Sequence, residues 1–229
     1  NFLLPGTARM TGDAPCCEPG HCDSGRLRLG GVLLAAGQGK RLGGRPKGLI
    51  AVEGEPLIER NLKLLHSVGL DELVVVTGHF QSQLAPVLTQ LVADVNGIPV
   101  VEVTQPGDNH KQADSLRLAA QALSAELDAV MVLPVDMPAL TRADLVALIG
   151  AYKHAPSEVE FVGPNVDGRP GNPVLFSRRL AAQIAEGVGE FGSGAWRHQQ
   201  PDWLLEWPTD NLHYVTDIDT PEDLRRWGQ

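Results

Sequence analysis

Short apolar runs alternate with helical patterns of apolar and polar residues along most of the chain. The first run, residues 31–37, ends in glycine and is typical of a buried parallel strand that enters a loop. Similar runs at 72–77, 98–104, 129–135 and 159–162 predict further strands. The strands are therefore expected to recur at intervals long enough to contain a helix between each pair.

Apolar stripes at a period of 3.6 residues predict helices between these strands. They cover residues 57–68, 115–123 and 142–152, and the third begins at a Thr141 cap with Asp144 in the capping-box position. Strands that alternate with helices indicate a mainly parallel sheet covered on both faces. We therefore predict an α/β fold, a Rossmann-like three-layer sandwich with a mainly parallel mixed sheet.

The C-terminal part of the chain has a different pattern. Segments 167–177 and 203–216 are hairpin-like, and we expect them to add antiparallel strands. Residues 220–224 predict a short terminal helix with a threonine cap and a first-turn proline. Because the chain shows neither an internal repeat nor an interdomain linker, residues 30–229 are expected to form a single domain.

Residues 1–29 precede this domain and lack its apolar periodicity. Cys16, Cys17, His21 and Cys22 lie here, and they allow either a metal or redox cluster or an unstructured leader. The adjacent cysteines lack the CxxC spacing, and glycine, proline, aspartate and serine surround them. We expect residues 1–29 to be a flexible leader.

The charge balance narrows the class of partner. The chain has a formal net charge of −9 and 5% aromatic residues, so we expect no binding to nucleic acid and no attraction to an anionic membrane. The sequence has no apolar stretch near the ~20 residues of a membrane span, and its start lacks the pattern of a secretory signal. We therefore expect a cytoplasmic protein.

Residues 37–47 form a glycine-rich basic loop directly after the first predicted strand. Four glycines allow backbone N–H groups to turn towards an anion, and four lysine and arginine side chains supply positive charge. The glycine spacing excludes a Walker A loop, and Leu42 occupies the third glycine position of a dinucleotide fingerprint. The loop indicates either a phosphate-binding site or an ordinary solvated connection.

Asp136 and Asp219 are the candidate metal ligands. Asp136 follows a strongly apolar strand, and open α/β sheets bind ligands at the carboxyl ends of their strands. A carboxylate there suits Mg²⁺, which takes one or two carboxylates together with phosphate oxygens. A helix N-cap or a turn aspartate is the alternative for Asp136, and a role at the start of the terminal helix is the alternative for Asp219.

Three motifs in order resemble those of the nucleotidyltransferases that attach a nucleotide to the molybdenum cofactor. They are LAAGxGxRLG at 34–43, followed by Lys47, then LPVDMP at 133–138 and DIDTPEDL at 217–224. One departure is Leu42, where the family commonly has methionine. The resemblance covers the body from residue 31 onward and implies the glycosyltransferase-A type of nucleotidyltransferase fold.

The resemblance also implies an activity without a covalent nucleophile. A phosphate of the acceptor attacks the α-phosphate of an NTP, and pyrophosphate leaves. Arg41, Lys47 and Asp136 are then the catalytic residues, and Mg²⁺ held by Asp136 and Asp219 is the cofactor. The implied nucleotide-binding residues are Leu34, Ala35, Ala36, Gly37, Gln38, Gly39, Lys40, Arg41, Gly43, Lys47 and Ser115.

The implied acceptor is molybdopterin, with Arg169, Gly171 and Asn172 as the residues that bind it. CTP is favoured over GTP, because four short segments resemble the cytidylyl branch whereas residues 43–49 resemble the guanylyl branch. A molybdoenzyme or its chaperone is a candidate partner. The open alternatives are a GTP-dependent guanylyltransferase, a sugar- or alcohol-phosphate nucleotidyltransferase, and a non-catalytic chaperone that binds the cofactor.

Overall fold

The computed structural model describes residues 26–94, 98–107, 111–188 and 202–228. Apart from 3-10 turns at Lys40–Leu42, Lys47–Leu49 and Leu212–Val215, its elements in chain order are β1 (Leu29–Leu34), β2 (Ala51–Val52), β3 (Glu55–Pro56), α1 (Leu57–Ser67), β4 (Glu72–Thr77), α2 (Gln81–Asp94), β5 (Val100–Thr104), α3 (Gln112–Ala122), β6 (Ala129–Pro134), α4 (Arg142–His154), β7 (Phe161–Val166), β8 (Arg169–Pro170), β9 (Val174–Ser177), α5 (Arg178–Ala185), β10 (Leu204–Pro208) and α6 (Pro221–Arg226).

Within the described residues, eight strands form one mixed sheet in the order β10-β7-β9-β6-β1-β4-β5, with β8 paired to β7. β1 lies parallel to both β4 and β6, and β4 lies parallel to β5. β9 is antiparallel to its two neighbours, β6 and β7. The predicted α/β sandwich with a mainly parallel mixed sheet is confirmed.

Helices cover both faces of the sheet because successive side chains of the central strands point to opposite sides. In β1, Leu29 and Leu33 pack into the core that includes α1, α2 and α4. Val32 and Leu34 of the same strand pack into the core on the other face, which includes α3 and α5. Every residue of β1 is buried, so this strand lies at the centre of the domain.

The C-terminal segments are partly as predicted. β8 and β9 are antiparallel additions from segment 167–177, and α6 is the predicted terminal helix. The prediction for 203–216 is wrong in its direction, because β10 runs parallel to β7 and the residues at 212–215 form a 3-10 turn. β10 pairs with β7 rather than with β9, the strand before it, so no hairpin turn imposes an antiparallel direction.

The fold begins slightly before the predicted boundary at residue 30. The Leu29 N–H donates to Asp71 Oδ2 at 2.8 Å, and an Arg26 guanidinium nitrogen lies 3.0 Å from Asp71 Oδ1. Residues 1–25, with the candidate ligands Cys16, Cys17, His21 and Cys22, lie outside the described residues. In the part of the chain that the structure describes, no helix has the length and apolar character to span a bilayer.

Candidate active site

A cavity of about 690 Å³ opens at the carboxyl ends of β1 and β6. Its lining residues are Leu34, Ala35, Ala36, Gly37, Gln38, Gly39, Lys40, Arg41, Lys47, Gln112, Ser115, Pro134, Val135, Asp136, Asn172, Asp217 and Asp219. The structure thus brings together all the predicted nucleotide-binding and metal-binding residues except Gly43. It also brings one predicted acceptor residue, Asn172, into the same cavity. Parallel strands end at the same edge of a sheet, which is why β1 and β6 contribute to one cavity.

The basic loop, residues 37–47, is folded tightly on its own backbone. Gly39 has a φ of 59°, and a Cβ at this position would lie 2.1 Å from the Arg45 carbonyl oxygen. The Leu42 and Gly44 N–H groups both donate to the Gly39 carbonyl, at 2.8 and 3.0 Å. Only glycine fits this conformation and this close approach, so Gly39 determines the shape of the loop.

The basic loop is also anchored by one apolar side chain. Leu42 is buried in a small cluster with Ile218 of the DID motif and Leu224 of α6. The cluster connects the loop to the chain segment that carries Asp217 and Asp219. The apolar side chain at position 42, where the resembling family commonly has methionine, therefore packs in the core while its cationic neighbours remain exposed.

Asp136 is held at the cavity by contacts from two other elements. The buried Asn61 side chain in α1 donates to the Val135 carbonyl at 2.8 Å, and the Ile218 N–H donates to the Asp136 carbonyl at 2.9 Å. The cap of α4 is Thr141, whose hydroxyl accepts from the Asp144 N–H. The carboxylate of Asp136 is thus directed to the cavity and does not cap the following helix.

Asp217 and Asp219 flank Ile218, which is fully buried. Side chains on either side of a buried residue in extended chain point the opposite way, so both carboxylates face the cavity. The cap of α6 is Thr220, whose side chain accepts from the Asp223 N–H. The side chain of Asp219 therefore does not cap the terminal helix, which was its alternative role.

Two cations contact these carboxylates. Lys47 Nζ lies 2.5 Å from Asp136 Oδ2 and also contacts Asp219 Oδ1, and an Arg41 guanidinium nitrogen lies 2.7 Å from Asp219 Oδ2. Burial lowers the pKa of Lys47, but the charges and hydrogen bonds of Asp136 and Asp219 outweigh burial and hold that pKa above its ordinary value. Lys47 is therefore charged at neutral pH.

Among the described residues, Asp136, Asp217 and Asp219 form a group that fits a divalent cation. One oxygen of each lies within 4.8 Å of the others, and an all-oxygen set suits Mg²⁺ or Mn²⁺. Desolvation, followed by the negative charges of Asp136 and Asp219, raises the pKa of Asp217. The three carboxylates thus place negative charge close together, where a bound cation would be stabilised.

The sequence predictions missed four residues that line the cavity: Gln112, Asp217, and Pro134 and Val135 at the end of β6. The signal for Asp217 was its spacing, since it stands two residues from Asp219 across a buried isoleucine. Gln112 begins α3 and lies on the same helix face as the buried Ser115, three residues later. The two-residue spacing of Asp217 from Asp219 and the three-residue spacing of Gln112 from Ser115 could have identified both residues.

The predicted acceptor residues lie on and beside the hairpin that β7 and β8 form, which we call the acceptor hairpin. Asn172 lines the cavity, and its N–H donates to the Tyr214 carbonyl at 2.8 Å. Arg169 lies in β8, is exposed, and follows the tight turn at Asp167 and Gly168. Neither Arg169 nor Gly171 is among the described residues that line the cavity.

Comparison with known proteins gives a family and two informative relatives. Residues 31–203 match the model of the MobA-like NTP transferase domain. The chain is 29% identical to the bifunctional IPC transferase and DIPP synthase of Rubrobacter xylanophilus, over 90% of this chain and 53% of that protein. It is 28% identical to the nicotine blue oxidoreductase of Paenarthrobacter nicotinovorans, over 86% of this chain and 94% of that protein.

Solved structures share the fold. The crystal structure of Rv0371c from Mycobacterium tuberculosis H37Rv matches with a TM-score of 0.69 and 24% identity, over 88% of this chain and 97% of that one. A second structure of Rv0371c is a complex with manganese. The chain spans about half the length of its Rubrobacter relative.

Proposed function

The chain belongs to the MobA-like NTP transferase family and is a nucleotidyltransferase, and from this premise we propose that it transfers CMP from CTP to the phosphate of molybdopterin. The observation that carries the proposal is the cavity itself. A glycine-rich basic loop, two contacting cations and a group of three aspartates line it together. Such a set suits two phosphorylated substrates and a divalent cation.

The basic loop supplies positive charge to the triphosphate. Lys40 and Arg41 line the cavity and are exposed, and Arg41 remains 72% exposed even while it contacts Asp219. Exposed guanidinium and ammonium groups can turn to phosphate oxygens without losing a buried partner. We infer that Arg41 and Lys47 neutralise the charge that grows on the bridging oxygen as pyrophosphate leaves.

The aspartates would hold Mg²⁺ against the same phosphates. Asp136 and Asp219 are the proposed ligands from the sequence, and Asp217 completes the oxygen set. When bound, the ion supplies Lewis-acid polarisation of phosphate oxygens and brings two anionic substrates together. Lys47 contacts Asp136 and Asp219 in this structure, so its ammonium compensates the carboxylates until the substrates arrive.

The reaction requires alignment rather than a nucleophilic side chain. The acceptor phosphate oxygen forms a bond to the α-phosphorus of CTP, and the bond from that phosphorus to the β-bridging oxygen breaks. The electron pair leaves with pyrophosphate, and no enzyme group is modified. The protein contributes orientation of the reactants and fixed charge, which are the main terms in phosphoryl chemistry.

The base is proposed to lie against the part of the cavity formed by residues 34–36 and Ser115. Ala35 and Ala36 are small, and Ser115 is 3% exposed at the first turn of α3. A Cβ on Gly78 would lie 3.0 Å from the Ala36 carbonyl, so the loop after β4 closes against the loop after β1. CTP is the proposed substrate because four short segments resemble the cytidylyl branch, and GTP is the alternative substrate.

A second candidate acceptor is an alcohol phosphate. The Rubrobacter relative, whose name states an IPC transferase, aligns with 90% of this chain. The predicted acceptor residue Arg169 lies outside the cavity lining, whereas the predicted acceptor residue Asn172 lies in it. A sugar phosphate is a further alternative, and a molybdoenzyme or its chaperone is the proposed recipient of the product.

The test is pyrophosphate release from each NTP with each acceptor. The purified protein is incubated with Mg²⁺, one of the four NTPs, and molybdopterin, an alcohol phosphate or a sugar phosphate. The proposal predicts release with CTP and molybdopterin above every other pair. Release only with an alcohol or sugar phosphate would refute the molybdopterin assignment, and retained molybdopterin binding without pyrophosphate under any NTP would favour the non-catalytic chaperone.

A further inference from the structure

The segment 211–219 connects α4, the acceptor hairpin and the aspartates. At its start, the Asn211 amide donates to Asp144 Oδ1 at 2.7 Å, and His213 Nδ1 lies 2.8 Å from Asp144 Oδ2. Asp144 is buried in the first turn of α4. The segment is therefore fixed to α4 by a carboxylate that the proposed reaction does not use.

Tyr214 is the centre of this segment. Its side chain is 1% exposed, and its hydroxyl donates to the Asp144 carbonyl oxygen at 2.7 Å. Its ring meets the Trp207 ring edge-on, with 5.8 Å between centroids. A buried tyrosine with a satisfied hydroxyl and an aromatic neighbour has one well-defined position.

The acceptor hairpin rests on the backbone of Tyr214. The Asn172 N–H donates to the Tyr214 carbonyl at 2.8 Å, and a Cβ on Gly171 would lie 2.6 Å from that same oxygen. Asn172 is the predicted acceptor residue that lines the cavity. A displacement of Tyr214 would therefore displace Asn172.

The other end of the segment reaches the aspartates. The Ile218 N–H donates to the Asp136 carbonyl at 2.9 Å, and Asp217 and Asp219 lie on either side of Ile218. Ile218 lies four positions after Tyr214, so the hairpin contact and the aspartate contact belong to one short, packed piece of chain. The distance from Asn172 to the aspartates is set through this piece.

We propose that Tyr214 is a positioning residue for the acceptor. It holds Asn172 in register with the three aspartates, Asp136, Asp217 and Asp219. This inference rests on the proposed function, because it assumes that the acceptor meets Asn172. Tyr214 does not touch the reactants. It acts through the backbone contact with Asn172 and through its own hydroxyl on α4.

The test compares Tyr214→Phe with Tyr152→Phe. Tyr152 lies on the same helix as Asp144, is partly buried, and makes no hydrogen bond through its hydroxyl within the described residues. Tyr152→Phe therefore also removes one tyrosine hydroxyl, but at a position away from the acceptor hairpin. Gly171→Ala perturbs the same contact from the other side, because its new methyl group meets the Tyr214 carbonyl.

Two quantities are measured, the KM for each substrate and the hydrogen-exchange rate of the Asn172 amide. We expect Tyr214→Phe and Gly171→Ala to raise the acceptor KM by about three- to tenfold, the scale of one buried hydrogen bond, and to accelerate exchange at Asn172. The KM for CTP should be unchanged in both. Tyr152→Phe should match the wild type in every measurement.

An unchanged acceptor KM in Tyr214→Phe would overturn the inference, even if the Asn172 amide exchanged faster, because the contact would then be structural only. Equal increases in both KM values would also overturn it. A wild-type protein that releases no pyrophosphate with any acceptor would instead refute the proposed function. The wild-type reaction thus separates the two failures.

Discussion

Replacement of Lys47 by methionine should change metal affinity and turnover in opposite directions. The Lys47 ammonium contacts Asp136 and Asp219, two of the three aspartates that fit a divalent cation. In the absence of nucleotide, a metal ion must displace this ammonium or bind beside it. Methionine has a similar length and no charge, so Lys47→Met removes the competing cation while it preserves most of the packing.

The expected magnitudes come from the contacts. A hydrogen bond to a charged group contributes about 1.5–3 kcal/mol, and Lys47 makes two of them at 16% side-chain exposure. Relief of one such competition corresponds to at least about tenfold tighter metal binding, since 1.4 kcal/mol is a factor of ten. Loss of one preorganised cation from the transition state costs about 3–4 kcal/mol, or roughly 10²–10³ in kcat.

Manganese affinity without nucleotide and pyrophosphate release with CTP measure the two effects. Lys63→Met is the matched control, because Lys63 on α1 also lies between two carboxylates, Glu55 of β3 at 2.8 Å and Glu59 of α1 at 2.7 Å. It is not among the described cavity residues, so both quantities should stay at the wild-type value. Weaker manganese binding in Lys47→Met would show that the ammonium does not compete with the metal, and wild-type turnover would show that Lys47 does not stabilise the transition state.

Three further substitutions test other parts of the structure. Asp136→Asn should lower kcat by about 10²-fold or more, the several kcal/mol of metal-assisted charge stabilisation, with an unchanged Tm; near-normal activity would place the metal elsewhere. Gly39→Ala should raise the KM for CTP at least about tenfold, since backbone strain of about 1–2 kcal/mol adds to a clash with Arg45; a wild-type KM would contradict the assigned role of the loop. Burial raises the pKa of Asp144, but hydrogen bonds from His213 and from two further polar residues outweigh burial and leave it lowered. Ionised Asp144 therefore stabilises the fold above the unfolded pKa of about 3.9, and this stabilisation is lost as pH falls through the lower folded pKa. The difference in free energy of unfolding between wild type and Asp144→Asn, measured in urea, should thus shrink below about pH 4. A difference that is constant with pH would exclude this linkage.

Much of the fold could be predicted because the central strands are buried on both faces. A strand such as β1 must then be apolar at every position, and this continuous run is visible in the sequence. The direction of β10 could not be predicted, because β10 pairs with β7 and not with the preceding β9. Long-range pairing of this kind leaves no local signal.

The candidate site was predictable where chemistry follows directly on a strand. The basic loop and Asp136 come immediately after β1 and β6, and both line the cavity. Arg169 was predicted from the resemblance to the family's acceptor-side loop, but it follows the turn at Asp167 and Gly168 and lies outside the cavity lining. The contact between Asn172 and Tyr214 joins residues 42 positions apart, so only the folded chain reveals it.

We propose that CMP passes directly from CTP to a phosphate acceptor in the described cavity. The most direct measurement follows the label from CTP marked at either the α- or the γ-phosphate, with molybdopterin as acceptor and Mg²⁺ present. We expect the α-label in a dinucleotide form of molybdopterin, the γ-label in pyrophosphate, and no label on the protein. Label bound covalently to the protein, or γ-label released as inorganic phosphate without an α-labelled pterin product, would contradict direct transfer of CMP.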